Sequence, residues 1–220
     1  MQARERLILA LDVPDADAAV AWVRRLGSKV GLVKIGLELF VAAGPELVRR
    51  VRGLGAGVFL DLKLHDIPNT VAGAVRSAAR LDVQMLTLHA SGGGAMLAAA
   101  VEAARASEHA PLLLGVTVLT SLEAAPGQVV ALAQQVAEAG LGGAVASGQE
   151  AAAIRAAQPL LKLVVPGIRP AGASFGDQVR VATPAAAVRA GADYLVLGRA
   201  ITAAADPEAA LASVLAEITP

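Results

Sequence analysis

The chain contains no cysteine, which excludes disulfides, thiolate nucleophiles and cysteine-ligated metals. Aromatic residues make up only 2% of it, so the stacking platforms that bind single-stranded nucleic acids are missing. Neither sign of charge is in excess: 19 basic residues meet 19 acidic ones, and a zero balance leaves no electrostatic footprint for nucleic acid or an anionic membrane surface. No apolar run approaches the ~18–20 residues needed to span a bilayer. Met1-Gln2-Ala3-Arg4-Glu5-Arg6 leads into an apolar stretch that Asp12 cuts short, too brief for a secretory segment and without a small-residue cleavage site. Together these absences predict a cytoplasmic protein that acts on a small molecule, with no nucleic-acid or membrane partner. Lysine is scarce as well. Against 15 arginines stand only Lys29, Lys34, Lys63 and Lys162. An ammonium can give up its proton and a guanidinium effectively cannot, and Lys34 and Lys63 both lie at the ends of apolar runs.

With 220 residues and no Ser/Pro/Gly-rich linker or charge block, one domain over residues 1–220 is expected. Eight short apolar runs recur: Leu7–Leu11, Val30–Ile35, Val58–Leu62, Gln84–Leu88, Leu112–Val118, Gly142–Val145, Leu161–Val165 and Asp193–Leu197. Amphipathic, Ala-rich segments separate them. Helix-start signals stand at Pro14-Asp15, Gly44-Pro45, Pro68-Asn69, Thr183-Pro184 and Asp206-Pro207. Eight strand–helix units whose strands are apolar on both faces predict a closed parallel (β/α)8 barrel, a TIM barrel of the α/β class. An open doubly wound sheet is the alternative, but no Gly-x-Gly-x-x-Gly follows the first run. Gly92-Gly93-Gly94 has the wrong spacing for that fingerprint and reads as a loop and helix N-terminus.

A barrel of this kind places its active site at the C-terminal ends of the strands, and polar residues collect there. Asp12 closes the first run, Lys34 the second, Asp61 and Lys63 the third and His89 the fourth. Thr117 and Thr120-Ser121 close the fifth, Arg169 follows the seventh, and Gly198-Arg199 the eighth. At the opposite ends stand Arg6, Lys29 and Lys162, which read as solvated residues. In Asp61-Leu62-Lys63-Leu64-His65-Asp66 the strand alternation puts Phe59, Asp61 and Lys63 on one face and Leu60, Leu62 and Leu64 on the other. Such a charge cluster at a buried strand end is costly to desolvate unless chemistry needs it. Flanking carboxylates favour the ammonium form of Lys63, which suits it to donate a proton. Asp12 and Lys34 on neighbouring strands extend the alternation of charge.

Gly198-Arg199, ending a strand ahead of a short helical stretch, fits the phosphate-binding position of such barrels and suggests a phosphorylated substrate. The long segment from Pro166 to Gln178 reads as a lid or binding loop, with Arg169 and Gln178 as ligand contacts. His65 and His89 read as packed or loop histidines, each making one hydrogen bond, and His109 as a surface residue. No two histidines have metal-ligand spacing, and no metal site is expected.

Taken in order, Leu9-Ala10-Leu11-Asp12, Val33-Lys34-Ile35-Gly36, Asp61-x-Lys63-x-x-Asp66-Ile67-Pro68-Asn69-Thr70, Val118-Leu119-Thr120-Ser121, Pro166-Gly167-Ile168-Arg169-Pro170, Gly176-Asp177-Gln178 and Gly198-Arg199 closely resemble the orotidine 5′-phosphate decarboxylases. The resemblance runs from Leu7 to Thr202. It implies cofactor-free decarboxylation of orotidine 5′-phosphate to uridine 5′-phosphate and CO2, the last step of de novo pyrimidine synthesis. By the same resemblance Lys63 protonates C6 of the pyrimidine and Asp61 sits beside the substrate carboxylate. Asp66 and Thr70 reach into the neighbouring subunit's site, which implies a homodimer. Asp12 and Lys34 hold the ribose hydroxyls, and Thr120 and Ser121 face the pyrimidine edge. Gln178, Arg199 and the Gly198 backbone grip the phosphate, and Arg169 is a further binding residue. Val165 and Ala200 depart from the family pattern, where threonine and proline are usual, without touching an implied role. Related sugar-phosphate decarboxylases and hexulose-phosphate synthases share the Asp-x-Lys-x-x-Asp arrangement but use Mg2+, with a glutamate where this chain has Lys34. An ammonium there would repel the metal. A non-catalytic nucleotide-binding barrel is the remaining alternative.

Overall fold

The structure, a computed structural model, describes residues 1–125, 127–169 and 182–219. Eight parallel strands close into a barrel in sequence order: β1 Leu7–Ala10, β2 Leu32–Gly36, β3 Val58–Leu64, β4 Met85–His89, β5 Leu112–Val116, β6 Gly143–Val145, β7 Lys162–Val165 and β8 Tyr194–Leu197. The helices are α1 Ala16–Leu26, α2 Leu37–Gly53, α3 Pro68–Ala79, α4 Gly93–Arg105, α5 Gln128–Glu138, α6 Ala151–Ala157, α7 Pro184–Arg189, α8 Arg199–Thr202 and α9 Pro207–Ile218. The expected barrel is therefore present. None of the described helices is long and apolar enough to cross a membrane.

Two cores follow from the period-two alternation of the strands. Ile8, Ala10, Phe59, Met85, Leu114, Val164 and Val196 fill the barrel interior. Leu7, Leu9, Val33, Ile35, Leu60, Leu86, Leu88, Leu163 and Leu197 face the surrounding helices. Burying one such leucine contributes about 1.5–3 kcal/mol, and all of these leucines are fully buried or nearly so.

Local chemistry moves several boundaries. The fourth and eighth strands begin one residue late because the residues before them serve as caps. The Gln84 side chain accepts from Val58 N at 2.6 Å, and the Asp193 side chain accepts from Leu163 N at 2.9 Å. The fifth ends at Val116 because the Thr117 hydroxyl turns across to donate to Val145 O at 2.9 Å. Asp15, Thr183 and Asp206 cap α1, α7 and α9 by accepting from the amides of Ala18, Ala186 and Ala209. At Gly44-Pro45 the expectation needs correction, since α2 already starts at Leu37. Gly44, with φ 65° and ψ −169°, interrupts that helix, and Pro45 opens its second segment. Only glycine takes such a backbone without strain. Nor are Arg6 and Lys162 simply solvated at the N-terminal barrel face. Arg6 donates to Ala192 O at 3.2 Å and Lys162 pairs with Asp193 at 3.3 Å.

Candidate active site

The C-terminal ends of β1, β2 and β3 bring four charges of alternating sign into one line. Lys34 Nζ lies 3.2 Å from Asp12 Oδ1 and 3.7 Å from Asp61 Oδ2, and Lys63 Nζ donates to Asp61 Oδ2 at 2.8 Å. Asp61 and Lys34 are each only 13% exposed in their side chains, against 35% for Lys63. An unpaired charge so buried would be strongly disfavoured, and here each inner charge meets one of opposite sign. Gly36 leaves room for this arrangement: a Cβ there would lie 3.0 Å from Lys34 Nζ.

Lys63 reaches its place through an irregular backbone. Its φ is +51°, a left-handed conformation that side chains longer than Gly, Asn or Asp rarely adopt. The β3–β4 ladder shifts at the same point. Leu60 pairs Leu86, and the next pairing is Leu64 with Leu88, so the β3 segment there is longer than its partner. Bulges of this kind re-aim a side chain at barrel rims beside active sites. Lys63 still turns inward with Asp61, while Leu62 and Leu64 pack against the outer core, as the alternation predicts.

Above an apolar floor of Ala10, Phe59, Val116, Val145 and Val196, a cavity opens whose rim carries Asp12, Lys34, Asp61, Lys63, Thr120, Arg169, Gly198 and Arg199. Arg169 follows β7 and is only 8% exposed, its Nη1 donating to Ile168 O at 3.1 Å. Gly198 caps α8 and Arg199 opens it. The same rim thus carries alternating acid and ammonium groups and, on the neighbouring β8 side, the guanidinium of Arg199 beside Gly198, whose Cα faces Asp12; with Arg169 these guanidinium groups suit an anion. At the β4 end, His89 stacks at a tilt on His65, with ring centroids 5.5 Å apart. Burial lowers the His89 pKa below its ordinary value, and His65 and Lys63 push the same way against Asp61. The neutral ring is favoured.

A family model described as orotidine 5′-phosphate decarboxylase / HUMPS matches residues 5–214. The orotidine 5′-phosphate decarboxylase of Moorella thermoacetica is 51% identical, covering 99% of this chain and 94% of its own. That of Halorhodospira halophila is 53% identical over 97% and 95%. The chain belongs to the orotidine 5′-phosphate decarboxylase family. Among solved structures, the orotidine 5′-phosphate decarboxylase of Lactobacillus acidophilus superposes with a TM-score of 0.85 at 33% identity, covering 97% of this chain and 99% of that one. The Pyrococcus horikoshii enzyme gives 0.79 at 26% identity over 96% and 98%.

Of the residues that the family resemblance singles out, Asp12, Lys34, Asp61, Lys63, Thr120, Arg169, Gly198 and Arg199 line this one cavity. Three others do not. Ser121 follows Thr120 but is exposed outside the cavity lining, and Asp66 and Thr70 are exposed at the start of α3. The Asp66 carboxylate accepts from Ile67 N at 2.6 Å, within its own turn. Gln178 lies outside the described residues, as does most of the expected loop from Pro166 to Gln178. Sequence reasoning missed Thr87. It sits in the fourth apolar run on the inward-facing phase of Met85, is fully buried, and bonds both Asp61 and Lys63. The available signal was a lone hydroxyl on the interior face of the strand beside β3.

Proposed function

We propose that this protein is a carboxy-lyase that converts orotidine 5′-phosphate to uridine 5′-phosphate and CO2 without metal or organic cofactor, as its family membership supports. The observation that carries the mechanistic reading is the alternating line Asp12–Lys34–Asp61–Lys63 at the cavity rim. The C–C bond between pyrimidine C6 and the carboxylate breaks, CO2 leaves, and the electron pair remains on C6. Lys63 then supplies a proton from Nζ to C6. Charge develops at C6 only as the bond breaks, so an adjacent ammonium stabilises the transition state more than the ground state, which is the condition for raising kcat. Asp61 faces the departing carboxylate. Two carboxylates ~4 Å apart repel by about 4 kcal/mol at an effective dielectric near 20, and that repulsion vanishes as neutral CO2 forms. The Lys34 ammonium, held between the carboxylates of Asp12 and Asp61, supplies a positive charge there from the chain itself.

Asp12 and Lys34 bind the ribose hydroxyls in this reading, Thr120 and Ser121 the pyrimidine edge, and Arg199, the Gly198 backbone and Gln178 the phosphate, with Arg169 assisting. Phosphate binding, remote from the reacting carbon, lends its energy to orientation. Asp66 and Thr70 act in the site of a second copy in a homodimer. Their exposure outside their own cavity supports this, as do the exposed apolar Leu37, Val41 and Ile67 on the adjoining elements. Loss of orotate absorbance from orotidine 5′-phosphate, followed with EDTA present, is the test. Wild-type protein is expected to turn over undiminished by the chelator. Lys63→Ala should lose at least about 1,000-fold in kcat while still binding uridine 5′-phosphate by calorimetry. Wild-type-like turnover by Lys63→Ala would overturn the assignment.

A further inference from the structure

We infer that Thr87, on β4, is a positioning residue for decarboxylation: its hydroxyl locks the Asp61 carboxylate and the Lys63 backbone into one rigid unit. Thr87 Oγ1 lies 2.9 Å from Asp61 Oδ1 and 2.9 Å from Lys63 N. The directions are dictated by chemistry. A backbone N–H only donates and an ionised carboxylate only accepts, so the hydroxyl accepts from Lys63 and spends its single proton on Asp61. With Oδ1 held by Thr87 and Oδ2 by the Lys63 ammonium at 2.8 Å, the Asp61 carboxylate has no freedom to rotate.

The location explains why a side chain is needed. Between the Leu60–Leu86 and Leu64–Leu88 pairings the β3–β4 ladder is out of register, and Thr87 stands on β4 between those two points. Its hydroxyl takes up the Lys63 amide that the regular ladder would otherwise have paired. A left-handed lysine persists only where its surroundings over-determine it, and this bond is one of those determinants. Thr87 is completely buried, so bulk water cannot replace the hydroxyl when it is removed.

The inference rests on the reading of Lys63 as proton donor and Asp61 as the group beside the substrate carboxylate. Its test is accordingly read only against a wild-type enzyme that decarboxylates orotidine 5′-phosphate and a Lys63→Ala variant that does not; failure of those two controls falls on the functional reading itself. Thr87→Val keeps the shape and removes the hydroxyl. The expected result is a fall in kcat of about 10- to 100-fold, the scale of a misplaced catalytic group, with the affinity for uridine 5′-phosphate within about threefold of wild type. Thr87→Ser should restore kcat. A Thr87→Val enzyme with kcat within about twofold of wild type would overturn the inference. If Thr87→Val melts below the assay temperature, Thr87→Ser and Thr87→Cys carry the test. Serine should match wild type and cysteine, a poor donor and acceptor, should lose about tenfold or more in kcat; equal rates in the two would overturn it.

Discussion

In the proposed reaction Lys34 supplies a charge that a single substitution can remove. Its ammonium lies between Asp12 and Asp61, so the two carboxylates see a cation that the chain itself supplies. Replacing it with an uncharged chain of similar length leaves Asp61, 13% exposed, with Lys63 as its remaining counter-charge. Charge-assisted hydrogen bonds are worth about 1.5–3 kcal/mol. Lys34→Met is therefore expected to lower kcat/KM for orotidine 5′-phosphate by about 10- to 100-fold in steady-state assays, with added Mg2+ giving no rescue. Rescue by Mg2+ would show that the site had become one of the metal-dependent kind, and an unchanged kcat/KM would show that Lys34 has no part in the reaction.

Among the elements, the seam between β7 and β8 is held at its N-terminal end by polar groups as well as by the buried Leu161, Leu163 and Ala192. Arg155 on α6 donates to Pro159 O, Leu161 O and Gly191 O at 2.7–2.8 Å and to Asp193 Oδ2 at 2.6 Å. Asp193 also accepts from Leu163 N and pairs with Lys162. Burial pushes the Asp193 carboxyl up, but the Leu163 amide, the Arg155 guanidinium and the Lys162 ammonium together outweigh it and hold the pKa below its ordinary value. A carboxyl depressed in the folded state stabilises the fold above its unfolded pKa of about 3.9, and that contribution is lost as the pH falls through the folded value. Asp193→Ala should thus cost about 2–4 kcal/mol at pH 7 by urea unfolding. Near pH 3 the gap to wild type should shrink. A gap that stays constant from pH 7 to pH 3 would show that the carboxylate charge contributes nothing.

The whole molecule presents a cavity to which Asp66 and Thr70 of the same chain do not contribute. If these residues serve a second copy, Lys63→Ala and Asp66→Ala chains complement one another. In a mixed dimer, one of the two sites combines an intact Lys63 with an intact Asp66 from the other chain. Co-expressed in equal amounts, two chains each inactive alone should recover about a quarter of wild-type activity per site. No recovery in verified mixed dimers would place Asp66 in its own subunit's chemistry instead.

The amino-acid sequence was enough for the eight repeating units, the barrel they close and the gathering of charge at one end of it. Strand and helix periods, caps and apolar runs are local signals, and a parallel barrel is the arrangement that buries both faces of eight such strands. Asp12, Lys34, Asp61 and Lys63 were legible for the same reason, as ionised groups at the ends of apolar runs. What strand alternation left unseen depends on the neighbour across the ladder. The left-handed backbone of Lys63 arises where β3 slips against β4, and no period-two pattern within β3 carries that slip. Thr87 joins the site through bonds to residues 24 and 26 positions away, a relation that exists only once the strands are side by side. Gly44 misled as a helix start because glycine and proline punctuate a broken helix as readily as they open a new one. The separation of Asp66 from Lys63, three positions apart in the chain, was likewise decided in three dimensions: the strand turns Lys63 into the barrel, and the turn into α3 leaves Asp66 on the surface.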